Sequence, residues 1–355
     1  MPTLAHRSIR HCLHMIGPFC PSPALPEEGQ RQLYDFLTFL YQGMLENPEG
    51  YFVFPGPYEA WQEKNKTRTD RPGAEKAHRT DSRESTLRNT VQQAISFYAT
   101  YLWQLGIRAE GTENGALVLG QPKYQEALAH MARFHGPEHH PARYALLEKA
   151  GLETIVKDGS IHIRCRPYPR MTEALLFLCR AKETPYKFMN YLRLDFENAG
   201  AAPTVSTICR TLTEEGTAII RKMEESLASL PVKAKIRPLR GITSDFQWKV
   251  EYVCKGKNVL GFYADHDRFL LCVYFNDHKN ISAFASLLQQ NHPSLFPWFC
   301  RQFPERLCRC PSNRLVHLGD EKRRICGLSN RAEIPNPSPQ DVENALFVLR
   351  TFRGL

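Results

Sequence analysis

Long apolar runs are missing from this sequence of 355 residues. No window approaches the roughly 20 apolar residues of a membrane-spanning helix, so we expect no membrane partner. The first 22 residues carry Arg7 and Arg10 and end in closely spaced prolines, which is not the pattern of a signal peptide. We expect residues 1–26 to be an unstructured leader, or to reflect a start codon assigned upstream of the true one.

Recognisable catalytic motifs are also missing. The sequence has no glycine-rich phosphate loop, no nucleophile elbow and no His-Glu-x-x-His helix. Asp265-His266-Asp267 brings an acid, a base and an acid together, as general acid–base catalysis requires. It lies where a hairpin turn is needed, however, and Asp is a favoured turn residue. Catalysis stays open, and the sequence favours a protein that is not an enzyme.

Cysteine lacks the density of a disulfide scaffold. The 11 cysteines are odd in number and scattered through apolar segments such as 175–179 and 270–273. A secreted disulfide scaffold is shorter and denser in cysteine, whereas a cysteine in an apolar segment packs as a small hydrophobic residue. We therefore predict a reducing compartment, the cytoplasm.

Positive charge is in excess. The formal net charge is +9, from 46 Lys and Arg against 37 Asp and Glu. This balance favours acidic partners such as nucleic acid or another polyanion. Charge alone does not choose among these partners, and a basic protein without any of them is the alternative.

Helical periodicity dominates the first third of the chain. Apolar residues recur at helical spacing from Glu27 to Glu46, and again from an acidic cap at Asp81 to Gly106. Between them, residues 64–80 are polar and predict a mobile surface loop. We expect residues 27–122 to form a helical N-terminal region.

Residues 123–231 are predicted to combine helices with one β-hairpin. Helical patterns begin at Lys123 and Arg143, and two β-rich runs then flank Lys157-Asp158-Gly159, where Asp-Gly is a strong hairpin-turn signal. A short helix followed by strand, turn and strand resembles the last helix and wing of a winged helix-turn-helix module. Many small α+β domains share this order, so both interpretations stay open.

After Pro231 the hydrophobic period changes from 3.6 to 2. Residues 248–275 predict three consecutive strands, an antiparallel meander, with helices packed on it. We expect residues 232–355 to be a C-terminal α+β domain with a cysteine-rich loop. The predicted fold class is therefore α+β: a helical N-terminal part, a central helix-plus-hairpin module resembling a winged helix, and a C-terminal antiparallel meander covered by helices.

Three segments carry a resemblance to a known family. They are Arg83 to Arg88, Tyr186 to Arg193 and Cys308 to Pro311, and they are similar to an uncharacterised family of bacterial proteins from Gram-positive anaerobes. The resemblance covers most of the chain after about Leu33. It implies a bacterial cytosolic protein and brings no activity and no functional residue with it.

The cysteine-rich loop concentrates soft metal ligands. Cys308, Cys310 and Cys326, with either His317 or Cys300, supply the four sulfur and nitrogen donors of a tetrahedral zinc site. A single residue separates Cys308 from Cys310, whereas zinc sites usually place two to four residues between paired cysteines. Zinc is therefore one hypothesis, and packed cysteines without metal are the alternative.

Basic residues cluster in two places. Lys157, Arg164 and Arg166 lie on and beside the predicted wing, and a second group surrounds the cysteine loop: Arg309, Arg314, Arg323 and Arg324. Phosphate contacts by such residues give affinity and salt dependence without sequence specificity. For each group the alternative is a solvated basic face.

Three functions remain open from the sequence. The leading one is a cytosolic protein that binds nucleic acid or another polyanion. The second is a zinc-binding module or an enzyme with its site near the cysteine loop, and the third is a structural interaction protein. The oligomeric state is not indicated.

Overall fold

A computed structural model of the chain describes residues 4–51, 82–134, 140–239, 246–275, 277–304, 313–326 and 331–353. These residues form an α+β protein, as the sequence predicts. They divide after Pro203 into two compact units, each with its own hydrophobic core. No helix in the described part of the chain is long and apolar enough to span a bilayer. The predicted loop at residues 64–80 lies outside the described residues.

The first unit is mainly helical. Its helices are α1 (Leu4–Ile16), α2 (Glu27–Glu46), α3 (Ser82–Gly106), α4 (Gln121–Phe134), α5 (His140–Lys149), α6 (Met171–Arg180) and α7 (Lys187–Leu192). The predicted helices α2 and α3 are confirmed, because their apolar stripes, such as Leu33 and Leu40 on α2 and Ile95 and Leu102 on α3, are buried. Regular spacing of apolar residues at a period of 3.6 is what made these helices predictable.

The expectation of an unstructured leader is wrong for the described part of residues 1–26. Residues 4–16 form α1, which buries Ile9, Cys12 and Ile16 in the first core. Its apolar positions follow a helical spacing, and the charged Arg7 and Arg10 lie on its exposed side. The prolines that suggested disorder come after the last turn of this helix, where they do not interrupt it.

Ile9→Ala tests whether α1 is a structural part of this core. Ile9 is fully buried, so we expect the free energy of unfolding to fall by about 2–5 kcal/mol. Arg10→Ala is the matched control, because the neighbouring Arg10 is exposed, and its effect should stay within about 0.5 kcal/mol. Urea denaturation followed by circular dichroism measures both. Equal, small effects of the two changes would mean that α1 does not pack on the core.

A four-stranded antiparallel sheet completes the first unit. It contains β1 (Gly111–Glu113), β2 (Ala116–Gly120), β3 (Leu152–Lys157) and β4 (Ser160–Cys165), in the order β1-β2-β4-β3. The hairpin β3-β4 is confirmed. The hairpin β1-β2, in contrast, was not predicted from the sequence; its turn residues Asn114 and Gly115 both have positive φ.

The second unit is built on a five-stranded antiparallel sheet. Its strands are β5 (Lys233–Pro238), β6 (Trp248–Cys254), β7 (Lys257–Ala264), β8 (Phe269–Tyr274) and β11 (Arg331–Pro335), in the order β11-β8-β7-β6-β5. A separate hairpin pairs β9 (Asn313–Leu318) with β10 (Glu321–Cys326). The helices are α8 (Val205–Cys209), α9 (Glu214–Leu227), α10 (His278–Asn291), α11 (Phe296–Arg301) and α12 (Pro339–Arg353). The predicted meander, β6 to β8, is confirmed.

The boundary between the units differs from the predicted one near Pro231. Helix α9 comes before Pro231, yet its buried residues Ile220 and Met223 belong to the same core as Trp248 and Phe262 of the sheet. The helical N-terminal region and the residues from 123 to 203 share the other core. The change of hydrophobic period marks where the strands begin, not where the unit begins. Helix α9, which precedes the first strand, shares the core of the five-stranded sheet.

Candidate nucleic-acid interface

The order of elements in the first unit resembles that of a winged helix-turn-helix module. Helix α3, strand β2, helices α4 and α5, and the hairpin β3-β4 follow one another along the chain. Strand β4 lies between β2 and β3, so the first strand of the module pairs with the hairpin. Both α4 and α5 pack against this sheet. We call the described residues between Ser82 and Cys165 the winged-helix module; β1 is an additional edge strand.

The β3-β4 hairpin occupies the position of the wing in this resemblance, and we call it the wing. Its turn, Asp158-Gly159, has φ values of 50° and 76°, and positive φ at both central residues is the signature of a type I′ turn. Lys157 pairs with Ser160 across this turn. Close to the tip, Val156 is 71% exposed. The wing therefore extends an accessible tip with one cation and one apolar side chain.

Helix α5 exposes small side chains. Ala142 and Ala145 are exposed, while Leu146 and Leu147 are buried. Glu148 and Lys149 are also exposed at its C-terminal end. Small side chains on an exposed helix face allow the helix backbone to come close to a partner.

Arg143 holds α5 from the inside of the unit. Its guanidinium donates from Nε and Nη2 to the carbonyl oxygen of Tyr51, at 3.1 and 2.7 Å, and lies 5.3 Å from the Phe97 ring centroid. Its own carbonyl accepts a hydrogen bond from the Tyr98 hydroxyl at 3.3 Å. Arg143 is only 3% exposed. It therefore fixes the position of α5 and is not available to a ligand.

The predicted wing cations Arg164 and Arg166 are brought together at Glu153, whereas Lys157 lies four residues farther along the strand, beside the turn. Glu153 accepts from Arg164 Nε at 2.9 Å and pairs with Arg166 Nε at 2.5 Å. These hydrogen bonds, from Arg164 first and then Arg166, lower the pKa of Glu153. Lys157 lies 3.8 Å from a carboxylate oxygen of Glu113. All three cations remain substantially exposed.

Glu153 is the residue that the sequence analysis missed. It lies directly opposite Arg164 in the hairpin register, and opposite charges facing each other across a hairpin attract. The Asp-Gly turn fixes that register. Counting back from the turn was therefore enough to find the pair.

In the second basic group, around the cysteine loop, Arg323 is held by contacts within the protein and is less available to a polyanion. Arg323 donates from Nη1 to the carbonyl oxygens of Cys300 and Phe303, at 2.8 and 3.2 Å, and from Nε to Glu321. These contacts cap the end of α11, so Arg323 has a structural role. Arg314 and Arg324 are exposed on the β9-β10 hairpin, and Arg309 lies outside the described residues.

The proposed zinc ligands do not meet in the hairpin. Cys326 pairs with Asn313, whereas His317 pairs with Lys322, so four residues of strand, about 13 Å, separate the two positions. The alternative ligand Cys300 is half-buried, and burial raises the pKa of its thiol. Within the described ranges no group of three metal-binding side chains occurs. Cys308 and Cys310 lie outside those ranges, so zinc binding stays a prediction.

Asp265-His266-Asp267 forms the turn between β7 and β8. The Asp265 carboxylate is buried and accepts hydrogen bonds from Gln247 Nε2 and Arg268 Nη2, both at 2.8 Å. The carbonyl of His266 accepts from the backbone N–H of Thr213 at 3.0 Å. These hydrogen bonds give Asp265 and the His266 backbone a structural role, because they hold the turn in place.

The features that favour nucleic-acid binding therefore lie in the first unit. The winged-helix module has an accessible helix face and a wing with cations, and in the described part of the cysteine-rich region Arg314 and Arg324 are exposed on the β9-β10 hairpin. The resemblance to a bacterial family stays a prediction. Comparison with known proteins adds no relative: no family model, no curated protein and no solved structure matches the chain.

Proposed function

We propose that this protein binds duplex DNA through the winged-helix module and catalyses no reaction. The observation that carries the proposal is the sheet order β2-β4-β3, which joins the helix pair α4-α5 to a wing. In helix-turn-helix proteins, the second helix of the pair enters the major groove. A fold alone does not establish a function, so the proposal also depends on the side chains that the helix and the wing expose.

The exposed side chains fit a duplex in shape and partly in charge. Ala142 and Ala145 of α5 let the helix approach base edges, where alanine makes apolar contact with the thymine methyl group. Lys149 at the end of α5 and Lys157, Arg164 and Arg166 on the wing are within one module, and their charges suit phosphate oxygens. Contacts to four phosphates would make binding weaken steeply with salt.

Glu153 limits the affinity in this proposal. Its carboxylate binds Arg164 and Arg166, so phosphates have to compete for the same guanidinium groups. We therefore expect moderate affinity. Neutral glutamine at position 153 would keep hydrogen-bonding capacity and remove the competing charge.

Two variants with opposite expected effects test the proposal. Glu153→Gln should tighten duplex binding by about 3- to 10-fold at low salt, because two guanidinium groups become available to phosphates. Lys157→Ala/Arg164→Ala/Arg166→Ala should weaken it by 10-fold or more. Fluorescence anisotropy of a labelled duplex measures both affinities.

The control makes the same charge change elsewhere. Glu343→Gln alters an exposed ion pair with Lys222 in the second unit, and it should leave duplex affinity within about 2-fold. Equal tightening by Glu153→Gln and Glu343→Gln would show that net charge, not the wing, governs binding. No duplex binding by the unmodified protein at low salt would refute the proposal outright.

We further propose that the protein works in the cytoplasm. Cys12, Cys165, Cys179, Cys254 and Cys272 are buried and form no disulfide. Burial raises the pKa of the Cys165, Cys179 and Cys272 thiols, that of Cys272 to about 12, so these three are poor nucleophiles. Buried thiols of this kind support a reducing compartment.

A further inference from the structure

The five-stranded sheet of the second unit has one face in the core and one face outside it. The inward residues of β6 to β8, such as Val250, Phe262 and Leu271, are buried in the second core. Because side chains alternate along a strand, the intervening residues point the other way. On β5 these are Lys233, Lys235 and Arg237, and on β6 they begin with Lys249.

This second face is rich in cations. Five basic side chains lie on it: Lys233, Lys235, Arg237, Lys249 and Arg331. Two carboxylates oppose them. Glu251 lies 2.9 Å from Lys249 and 3.8 Å from Arg237, and Glu333 lies 2.7 Å from Arg331. Lys233 and Lys235 are exposed. Lys235 lies opposite Glu251 in the register, and neither lysine forms a salt bridge with another described residue.

Aromatic rings lie between these cations on the two central strands. Tyr263 of β7 is half-buried, with Lys249 Nζ 5.5 Å from its ring centroid. Tyr274 of β8 is also half-buried and pairs with Arg331 of β11. The Arg331 guanidinium lies 5.5 Å from the Tyr263 ring centroid and 5.8 Å from that of Tyr274. One guanidinium therefore links the two rings across neighbouring strands.

Gly261 allows the second ring to lie across the sheet. It sits beside Tyr274, and a Cβ at this position would come within 3.3 Å of the tyrosine Cε2 atom. The small side chain of Cys272 occupies the adjoining position on β8. Because Gly261 and Cys272 have small side chains, the tyrosine rings can pack close to the strands. We call the outward residues of β5, β6, β7, β8 and β11 the cationic sheet face.

We propose that the cationic sheet face binds single-stranded nucleic acid. Unpaired bases stack on aromatic rings and on guanidinium planes, and every base offers a ring face for this contact. Tyr263, Tyr274 and Arg331 supply such a platform, and the three cations of β5 supply charges for the backbone phosphates. In a duplex the bases are already stacked on one another, so the platform favours a single strand. This site lies in the second unit and goes beyond the proposed duplex binding.

A pair of double variants separates stacking from charge. Tyr263→Ala/Tyr274→Ala should weaken binding of labelled single strands of about 12 nucleotides by 10-fold or more, because each ring lost removes one stacked base. Tyr263→Phe/Tyr274→Phe is the matched control, since phenylalanine keeps the ring, and it should stay within about 3-fold of the unmodified protein. Fluorescence anisotropy with oligo-dT and oligo-U probes measures affinity, and the two probes tell DNA from RNA as the preferred strand.

Charge is tested separately on β5. Lys233→Gln/Lys235→Gln should make binding less dependent on salt, with the slope of log affinity against log salt smaller in magnitude by roughly 1.4, as expected when two contacts to a single strand are lost. The stacking contribution should remain, so the alanine and phenylalanine double variants should still differ in this background. Duplex affinity should be unchanged in all of these variants, and the wing variants should leave single-strand affinity unchanged. A failure of one site is therefore distinguishable from a failure of the other.

Photocrosslinking of the unmodified protein covers the case in which the alanine variant does not fold. An oligo-dT containing 4-thiothymidine should crosslink to peptides that contain Tyr263 or Tyr274. Crosslinks confined to other peptides would overturn the proposal. So would equal affinity of the folded alanine and phenylalanine variants, or competition by duplex as strong as by single strand.

Discussion

Arg143→Ala is expected to lower the free energy of unfolding by about 2–4 kcal/mol. The change removes two hydrogen bonds to the Tyr51 carbonyl and the contact with the Phe97 ring. The Tyr51 carbonyl, which lies in a part-buried position, is then left without these donors, and an unsatisfied buried group costs about 1–3 kcal/mol. Loss of the long side chain adds a packing term.

Two further variants test whether the loss of stability comes from the contacts of the Arg143 guanidinium. Arg143→Lys should recover only part of the loss, because a lysine ammonium does not reproduce the two-pronged geometry of the guanidinium. Lys149→Ala changes a cation on the same helix that is exposed, and its effect should stay within about 0.5 kcal/mol. Guanidinium chloride denaturation measures all three. If Arg143→Ala and Lys149→Ala cost the same, Arg143 does not anchor α5.

Phe275→Ala is expected to cost more, about 3–5 kcal/mol. Phe275 is fully buried at the end of β8, and four rings surround it with centroids at 5.2–6.2 Å: Phe284, Phe299, Phe303 and Phe352. These rings come from α10, from α11 with the residues that follow it, and from α12. Removing the central ring leaves a cavity that three elements would have to fill together.

The control for this core variant is another phenylalanine. Phe347 of α12 is 38% exposed, so Phe347→Ala removes a ring of the same size with less buried area and should cost about 1 kcal/mol. Thermal and urea denaturation measure the difference. If Phe275→Ala cost no more than Phe347→Ala, the second core would not be organised around this ring.

Periodicity made a large part of the fold predictable. The stripes of α2 and α3, the Asp158-Gly159 turn and the alternation in β6 each depend on residues close together in the sequence. The hairpin β1-β2 was equally local. Its Asn114-Gly115 turn is one of the strongest hairpin signals, so this hairpin was predictable from the sequence.

Other features were not predictable from local patterns. Helix α9 could have packed on either neighbour, and only its contacts in three dimensions assign it to the second core. The cationic sheet face required the register of five strands, including β11, which comes 57 residues after Tyr274 and pairs directly with it at Arg331. The sequence predicted the basic residues of the wing as a group. The ion pairs of Arg164 and Arg166 with Glu153 were not predicted, and they lower the affinity that we expect for phosphates.

The most direct test of the account is the affinity of the unmodified protein for duplex DNA as a function of salt concentration. Four phosphate contacts, from Lys149, Lys157, Arg164 and Arg166, predict that log affinity falls against log salt with a slope of roughly −3.6. The variant lacking the three wing cations should have a slope near −1 in the same measurement. Undetectable binding at low salt, or the same slope for both proteins, would contradict the claim that the winged-helix module binds duplex DNA.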